Sequence, residues 1–176
     1  MMIHCFRKIS LTLIAIVFLL NSAFPQVNND GLPFIYNYSP RSYLASEPNW
    51  AIAQDNRGIM YFGNSQCILE YDGYSWNKIP VLGQTYILSL NAGSDGTIYA
   101  GGTDDFGHLV VDNQGKLVYE SLSVLIKDED VGVSRVWKIY SDSNKVYFCT
   151  LQNIFIYDTS SKNIEVIDLP EDSFWS

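Results

Sequence analysis

The chain predicts an all-β protein assembled from repeated four-stranded antiparallel units, and three observations carry that expectation. Short apolar runs alternate with turn residues along most of the 176 residues. One pattern of turn and strand recurs, as "DNRGIMYFGNSQCILEYDG" from Asp55, "SDGTIYAGGTDDFGHLVVD" from Ser94 and "SNKVYFCTLQNIFIYD" from Ser143. Helical periodicity is missing, except for one turn expected near Val124. With 47% hydrophobic and 14% aromatic residues, the chain carries enough apolar material to bury a core.

The first segment lies outside that pattern. "MMIHCFRK" supplies Arg7 and Lys8, the apolar run "ISLTLIAIVFLL" follows, and "NSAFPQ" closes the stretch. A basic start, a short apolar run and a small residue beyond it describe a secretory signal peptide, assigned to residues 1–25 with cleavage between Ala23 and Gln26. The run is short of the ~20 apolar residues that a membrane-spanning helix needs. An uncleaved anchor is the alternative. Cys5 precedes the run, so it is not placed for lipid attachment after cleavage. The protein is therefore expected to be exported.

Without Arg7 and Lys8, nine basic residues (11 less two) face 19 acidic ones. That excess of negative charge argues against contact with nucleic acid or an anionic membrane face, and its plainest use is solubility. Membrane attachment is expected only through a signal anchor or a downstream helix. Cys67 and Cys149 fall inside apolar strand runs of non-adjacent repeats, which predicts buried, unpaired thiols.

The repeat has a register. Gly58 and Gly96 stand 38 residues apart, as do Tyr61 and Tyr99 and the pair Ile52 and Leu90. The third copy aligns Tyr147 with Tyr99, 48 residues on, after an insertion within "SLSVLIKDEDVGVS". Each copy reads as four strands: "WAIAQ", "IMYFG", "CILEY" and "SWNKI" in the first, "ILSLNA", "TIYAG", "GHLVV" and "KLVYE" in the second, "VWKIYS", "KVYFCT", "NIFIYD" and "NIEVIDL" in the third. Asp-Gly between strand-like runs is a strong hairpin signal, because a tight turn needs positive φ. Four-stranded units at this spacing describe blades of a β-propeller. A β-sandwich also has many short strands, but it does not explain the repeat.

The resulting organisation is a signal peptide over 1–25, a lead-in over 26–49 holding a candidate ring-closing strand in "GLPFIYNYSP", blade 1 over 50–80, blade 2 over 86–120, an insertion loop over 121–134, blade 3 over 135–169, and the start of a truncated continuation at 170–176. Propellers close with ~4–8 blades, so about three blades make an incomplete ring with two open apolar faces. The chain is thus expected to be an N-terminal fragment whose partners include downstream blades or a second chain.

Family motifs narrow the class. Gly101-Gly102 lacks the Tyr and Trp that follow the glycine pair of kelch blades, no Trp precedes Asp, and Ser94, Asp95, Gly96 and Thr97 lack the spacing of an Asp-box. Blade 1 supplies, in order, Trp50, Gln54-Asp55, Gly58, Ile59, Tyr61, Gly63, Leu69, Tyr71-Asp72-Gly73 and Trp76. This order resembles the two-component regulator propeller, the exported sensor portion of bacterial signalling proteins. The lead-in "NYSPRSYLASEPNWAIAQD" is similar to the start of sensors whose propellers precede a triple-tyrosine immunoglobulin-like module. Blade 2 departs with "GGTDDFGHL", and blade 3 has Asn144-Lys145 where the family has a glycine turn. The resemblance covers about residues 31–169. It implies ligand sensing, often of a carbohydrate, with output through a membrane helix to a histidine kinase or a helix-turn-helix regulator of transcription. The sequence itself carries no kinase histidine motif, second hydrophobic span or recognition helix. The alternative is a secreted propeller that binds or degrades carbohydrate.

No catalytic constellation is expected. His108, the one histidine beyond the signal region, sits beside Leu109 and reads as a packed or rim residue. No phosphate loop and no Ser/His/Asp grouping can be assembled, so the chain is not expected to be an enzyme or to hold a cofactor. Asp104-Asp105 and Asp128-Glu129-Asp130 gather carboxylates of the kind hard cations favour, but lack calcium-loop spacing and read as solvated loops, so no metal is expected. Asp55, Asp72, Asp95 and Asp112 recur at turns, where a carboxylate holds the backbone. Trp50, Tyr61, Tyr71, Trp76, Tyr99, Trp137 and Tyr147 lie in strand positions; rings on a rim would suit a stacked sugar, and packing between blades is the plainer expectation for each. The ligand, a small molecule or glycan, and the residues that bind it stay unassigned.

Overall fold

The turn chemistry sets the strands. A computed structural model describes residues 35–170 except 82, 84, 85 and 129. The signal peptide, residues 26–34 of the lead-in, Glu129 and residues 171–176 lie outside the described residues. Gly58 (φ +86°) and Gly96 (φ +83°) close the first hairpins of the first two repeats in a backbone conformation that a side chain would strain. The carboxylate before each turn holds it shut. Asp55 Oδ1 accepts the amides of Arg57 (2.9 Å) and Ile59 (3.0 Å), and Asp95 and Asp112 take the amides of Thr97 and Lys116 in the same way. In the third repeat the turn is Ser143-Asn144, with Ser143 at φ +51° in place of a glycine, and Lys145 already begins a strand.

Twelve strands form three antiparallel four-stranded sheets. Blade 1 is β1 (Asn49–Gln54), β2 (Met60–Asn64), β3 (Cys67–Tyr71) and β4 (Trp76–Pro80). Blade 2 is β5 (Ser89–Ala92), β6 (Ile98–Gly101), β7 (Phe106–Val111) and β8 (Leu117–Ser121). Blade 3 is β9 (Lys138–Asp142), β10 (Lys145–Cys149), β11 (Asn153–Asp158) and β12 (Asn163–Asp168). Each sheet keeps its strands in chain order, the meander of a propeller blade. The innermost strands β1, β5 and β9 lie side by side with β5 in the middle, and the described residues form an arc rather than a closed ring. Among the described residues no helix is long and apolar enough to cross a membrane.

Cores fill the two spaces between blades. Tyr61, Ile68 and Ile79 of blade 1 meet Ile98, Ala100 and Leu109 of blade 2. Tyr99 and Phe106 of blade 2 meet Ile139, Val146, Phe148, Phe155 and Tyr157 of blade 3, with Phe106 and Phe148 stacked at 4.3 Å. Because side chains alternate along a strand, Tyr61 and Tyr99 face forward to the next blade while Ala100 and Phe148 face back.

A second device recurs at both joints. The chain enters each new blade through a fully buried β-branched residue, Ile87 before blade 2 and Val136 before blade 3. Each donates its amide to the blade behind, Ile87 to Asn64 O (3.2 Å) and Val136 to Gly102 O (2.9 Å). Each fits against a glycine: a Cβ at Gly63 would stand 2.8 Å from Ile87 Cγ2, and one at Gly101 would stand 2.5 Å from Val136 Cγ1. The glycine that follows Tyr-x in the first two repeats is therefore a hole for the incoming chain, and at the equivalent position of blade 3 stands Cys149.

The lead-in departs from expectation. Residues 35–48 carry no strand; a short helix α1 (Pro40–Tyr43) forms instead, because Pro40 suits a first helical turn and Leu44 ends it in the left-handed region (φ +53°). Tyr43 inserts against Cys67, Leu69, Phe62 and Trp76, so one of the two faces expected to lie open is covered. Lys78 Nζ on β4 donates to Leu44 O (2.9 Å), and the Tyr38 and Tyr71 hydroxyls are hydrogen-bonded. The insertion is likewise more than a solvated loop. The helical turn expected near Val124 is a 3-10 turn at Ser123–Leu125, and Leu122, Ile126, Val131 and Val133 pack on the core between blades 2 and 3.

Candidate functional site

Most polar groups singled out in the sequence are committed to the fold. Asp55 also takes Arg57 Nη2 (2.7 Å) and Nε (2.9 Å) on Oδ2. Burial alone would raise this carboxyl, but the Arg57 side chain, the Ile59 and Arg57 amides and the Arg57 charge outweigh it and hold it below the usual carboxylate range. Asp105 accepts Tyr119 Oη (3.0 Å), Ser121 Oγ (2.7 Å) and Ser123 Oγ (2.5 Å), tying the 3-10 turn to blade 2, while Asp104 is exposed. Asp128 caps the Asp130 amide (3.1 Å). His108 pairs with Glu120 (Nε2 to Oε2, 3.2 Å) and stacks on Tyr99 at 6.0 Å between blades 2 and 3. Among the described residues no group of three His, Cys, Asp or Glu is placed to hold a metal ion. Cys67 and Cys149 are buried and unpaired, and burial raises both thiols.

The aromatic residues divide. Tyr61 and Tyr99 are core rings whose phenols are pushed up to about 12, first by burial and then by the charges of Glu70 and Asp95 respectively. Tyr71 stacks on Trp76 at 4.5 Å beneath the lead-in, and Tyr147 is half-buried. Trp50 and Trp137 are different: they are 52% and 44% exposed, so the expectation of packing between blades fails for both. The reason is their place on the inner strands. Ile52, Leu90 and Ile139 pair with Phe62, Ala100 and Phe148, so Trp50, Leu88 and Trp137, two residues earlier, hold equivalent positions where the chain enters each blade. There the inner strands converge on the propeller axis, and among the described residues neither indole is covered by a neighbouring sheet.

A trough of about 260 Å³ runs along these strands, lined among others by Ile52, Leu88, Leu90, Trp137, Lys138 and Tyr140. A neighbouring cavity of about 400 Å³ shares Trp137 and Lys138 and adds Cys149 and Leu151. Trp50 stands outside the lining of both, its exposed indole N–H donated to Ser65 Oγ (3.2 Å). The sequence offered no local means to tell these two indoles from the others; what separates them is their place two residues before Ile52 and Ile139, the inner-strand residues that pair with Phe62 and Phe148.

Three meandering four-stranded sheets arranged about an axis make the protein a β-propeller in fold, and solved structures agree. The chain is similar to virginiamycin B lyase from Staphylococcus aureus (15% identity, TM-score 0.53), covering 69% of this chain and 41% of that one. It is similar to a streptogramin B lyase (19% identity, TM-score 0.52) with the same coverage, 69% and 41%. It is also similar to the extracellular domain assigned to a one-component system of B. thetaiotaomicron (21% identity, TM-score 0.51), covering 72% of this chain and 17% of that one. The chain thus spans less than half of each of these neighbours. No protein-family model matches the chain, and no curated protein sequence matches it. These likenesses establish the fold, and a fold shared by lyases and an extracellular domain does not by itself decide between catalysis and binding.

Proposed function

We propose that the chain is the ligand-sensing propeller of an exported bacterial signalling protein, working on the periplasmic side of the inner membrane as the front portion of a longer sensor. The observation that carries the reading is the pair of exposed indoles, Trp50 and Trp137, at equivalent places on the axial strands, where aromatic faces await a ligand rather than a neighbouring blade. The blade 1 motif, the fold likeness to an extracellular domain and the acidic composition support it. In this reading the turn carboxylates and the cores hold the blades in register, the trough takes a small molecule or glycan, and further blades and an output domain act downstream. The coding DNA beyond Ser176 tests it. An open frame with more blades, a membrane span and a kinase or DNA-binding domain is the expected result. Catalytic carboxylates in later blades without a membrane span would instead make this a secreted carbohydrate-acting propeller.

A further inference from the structure

The trough carries a charge opposite to that of the protein around it. Arg135 lies with its guanidinium carbon 5.9 Å from the centre of the Trp137 ring, within the range of a cation–π contact. Lys138 follows one residue on and lines both the trough and the neighbouring cavity. Among the described residues neither cation is ion-paired, whereas Arg57 is spent on Asp55. No carboxylate lines either cavity, although acidic residues outnumber basic ones 19 to 11 along the chain. Much of that acidity is held away in turns, by Asp55, Asp72, Asp95, Asp112 and Asp158.

Resting on the ligand-binding reading above, we infer that the trough takes a sugar bearing an anionic group, a uronate carboxylate or a sulfate. The weakly polar face of the sugar ring lies on the exposed Trp137 indole, which stands just before the inner strand β9 and lines both cavities. The anion lies toward Lys138 and Arg135, whose charged donors give the shorter, stronger hydrogen bonds that a neutral hydroxyl cannot. Discrimination against neutral sugars comes from the same two cations, since an anion approaching elsewhere meets a surface dominated by carboxylates.

Matched polysaccharides test the charge directly. The purified full chain is titrated with polygalacturonate against its fully methyl-esterified counterpart, and with dextran sulfate against dextran, following tryptophan emission and affinity electrophoresis. Binding to one acidic member at least about tenfold tighter than to its neutral partner, weakening as salt rises, is the expected result. The pair that shows it separates carboxylate from sulfate. Lys138→Glu, a change at an exposed position, is expected to remove that preference while leaving the melting temperature unchanged, and Trp137→Ala to remove binding to both members of the pair. Equal binding of charged and neutral partners, or a preference that survives Lys138→Glu, overturns the inference and leaves the sensor reading standing. Binding to none of the four polymers overturns the sugar assignment, and the coding DNA then judges the sensor reading by itself.

Discussion

Blades 1 and 3 stand at opposite ends of the arc, and each turns one face away from blade 2. On blade 1 that face is roofed. Tyr43 is buried against Cys67, Leu69, Phe62 and Trp76, and Lys78 clasps the Leu44 carbonyl. On blade 3 the corresponding face carries Tyr140, Tyr147, Ile154 and Ile167, all at least partly exposed, around the buried Cys149 and Ile156. The strands of the two blades follow one pattern, so the difference comes from what the chain does outside them. A few residues of lead-in supply the cover that a neighbouring sheet would otherwise give, while the far face keeps the apolar character of a surface meant to be buried.

Four experiments would break or sharpen that contrast. The largest effect is expected within β10, where adjacent residues face opposite ways. Phe148→Ala empties the core beside Phe106 and Phe155 and should cost about 4 kcal/mol, whereas Tyr147→Ala on the uncovered face should cost about 1 kcal/mol, both read from urea unfolding. Similar losses at the two positions would mean that the outer face is packed after all.

The next effect exchanges the residues of the glycine hole. Gly101→Cys drives a side chain into Val136 and Ser89 and should cost about 3 kcal/mol. Cys149→Gly makes the reverse change where no described residue enters from a following blade and should cost about 1.5 kcal/mol, mostly chain entropy and one lost thiol contact. A Gly101→Cys protein as stable as the parent would show that the joint can spread.

A third test compares the turns. Asp55→Ala removes the Arg57 clasp and the oxygen that accepts two backbone amides, for about 2 kcal/mol at neutral pH. The folded carboxyl titrates below its unfolded value of about 3.9, so its stabilisation is complete above that pH and is lost as pH falls through the lowered folded value. Acid unfolding of the variant should lack that portion of the curve. The blade 3 turn at Ser143-Asn144, which has no such clasp, gives no counterpart.

The smallest effect concerns the roof itself. Tyr43→Ala should cost about 1 kcal/mol globally, because the lead-in can lift locally without opening the blades. Maleimide labelling should then accelerate at Cys67, beneath the lead-in, and stay unchanged at Cys149. Equal acceleration at both thiols would show that the arc opens as one unit.

The legibility of the sequence follows the range of the forces. Turn glycines and the aspartates before them act on their own neighbours, so the Asp55, Asp95 and Asp112 hairpins could be read directly. The 38-residue repeat made the four-stranded blades readable for the same reason. The lead-in was not, because "SPRSYLAS" has too little local pattern to announce a helix, and its cover of blade 1 depends on Tyr43 meeting residues 19 to 33 positions away, from Phe62 to Trp76. Gly63 and Gly101 were read only as the last residues of the strands "IMYFG" and "TIYAG", and the partners Ile87 and Val136 reveal them as places of close approach. The exposed Trp50 and Trp137 were hidden among equally aromatic strands, since nothing local marks which strand reaches the axis.

The substitution of Cys149 for glycine has a meaning for how such a chain can be edited. Gly63 receives isoleucine and Gly101 receives valine, so the two seams are keyed to similar volumes and would tolerate each other's blades. The third seam is keyed differently: a buried thiol stands where the first two blades have a glycine. A sheet that docks there must lead with something smaller. Blades copied by duplication from the first two seams would not graft onto the third without a compensating change. The chain therefore carries a directional order in side-chain volume, a grammar of succession that the shared strand pattern does not show.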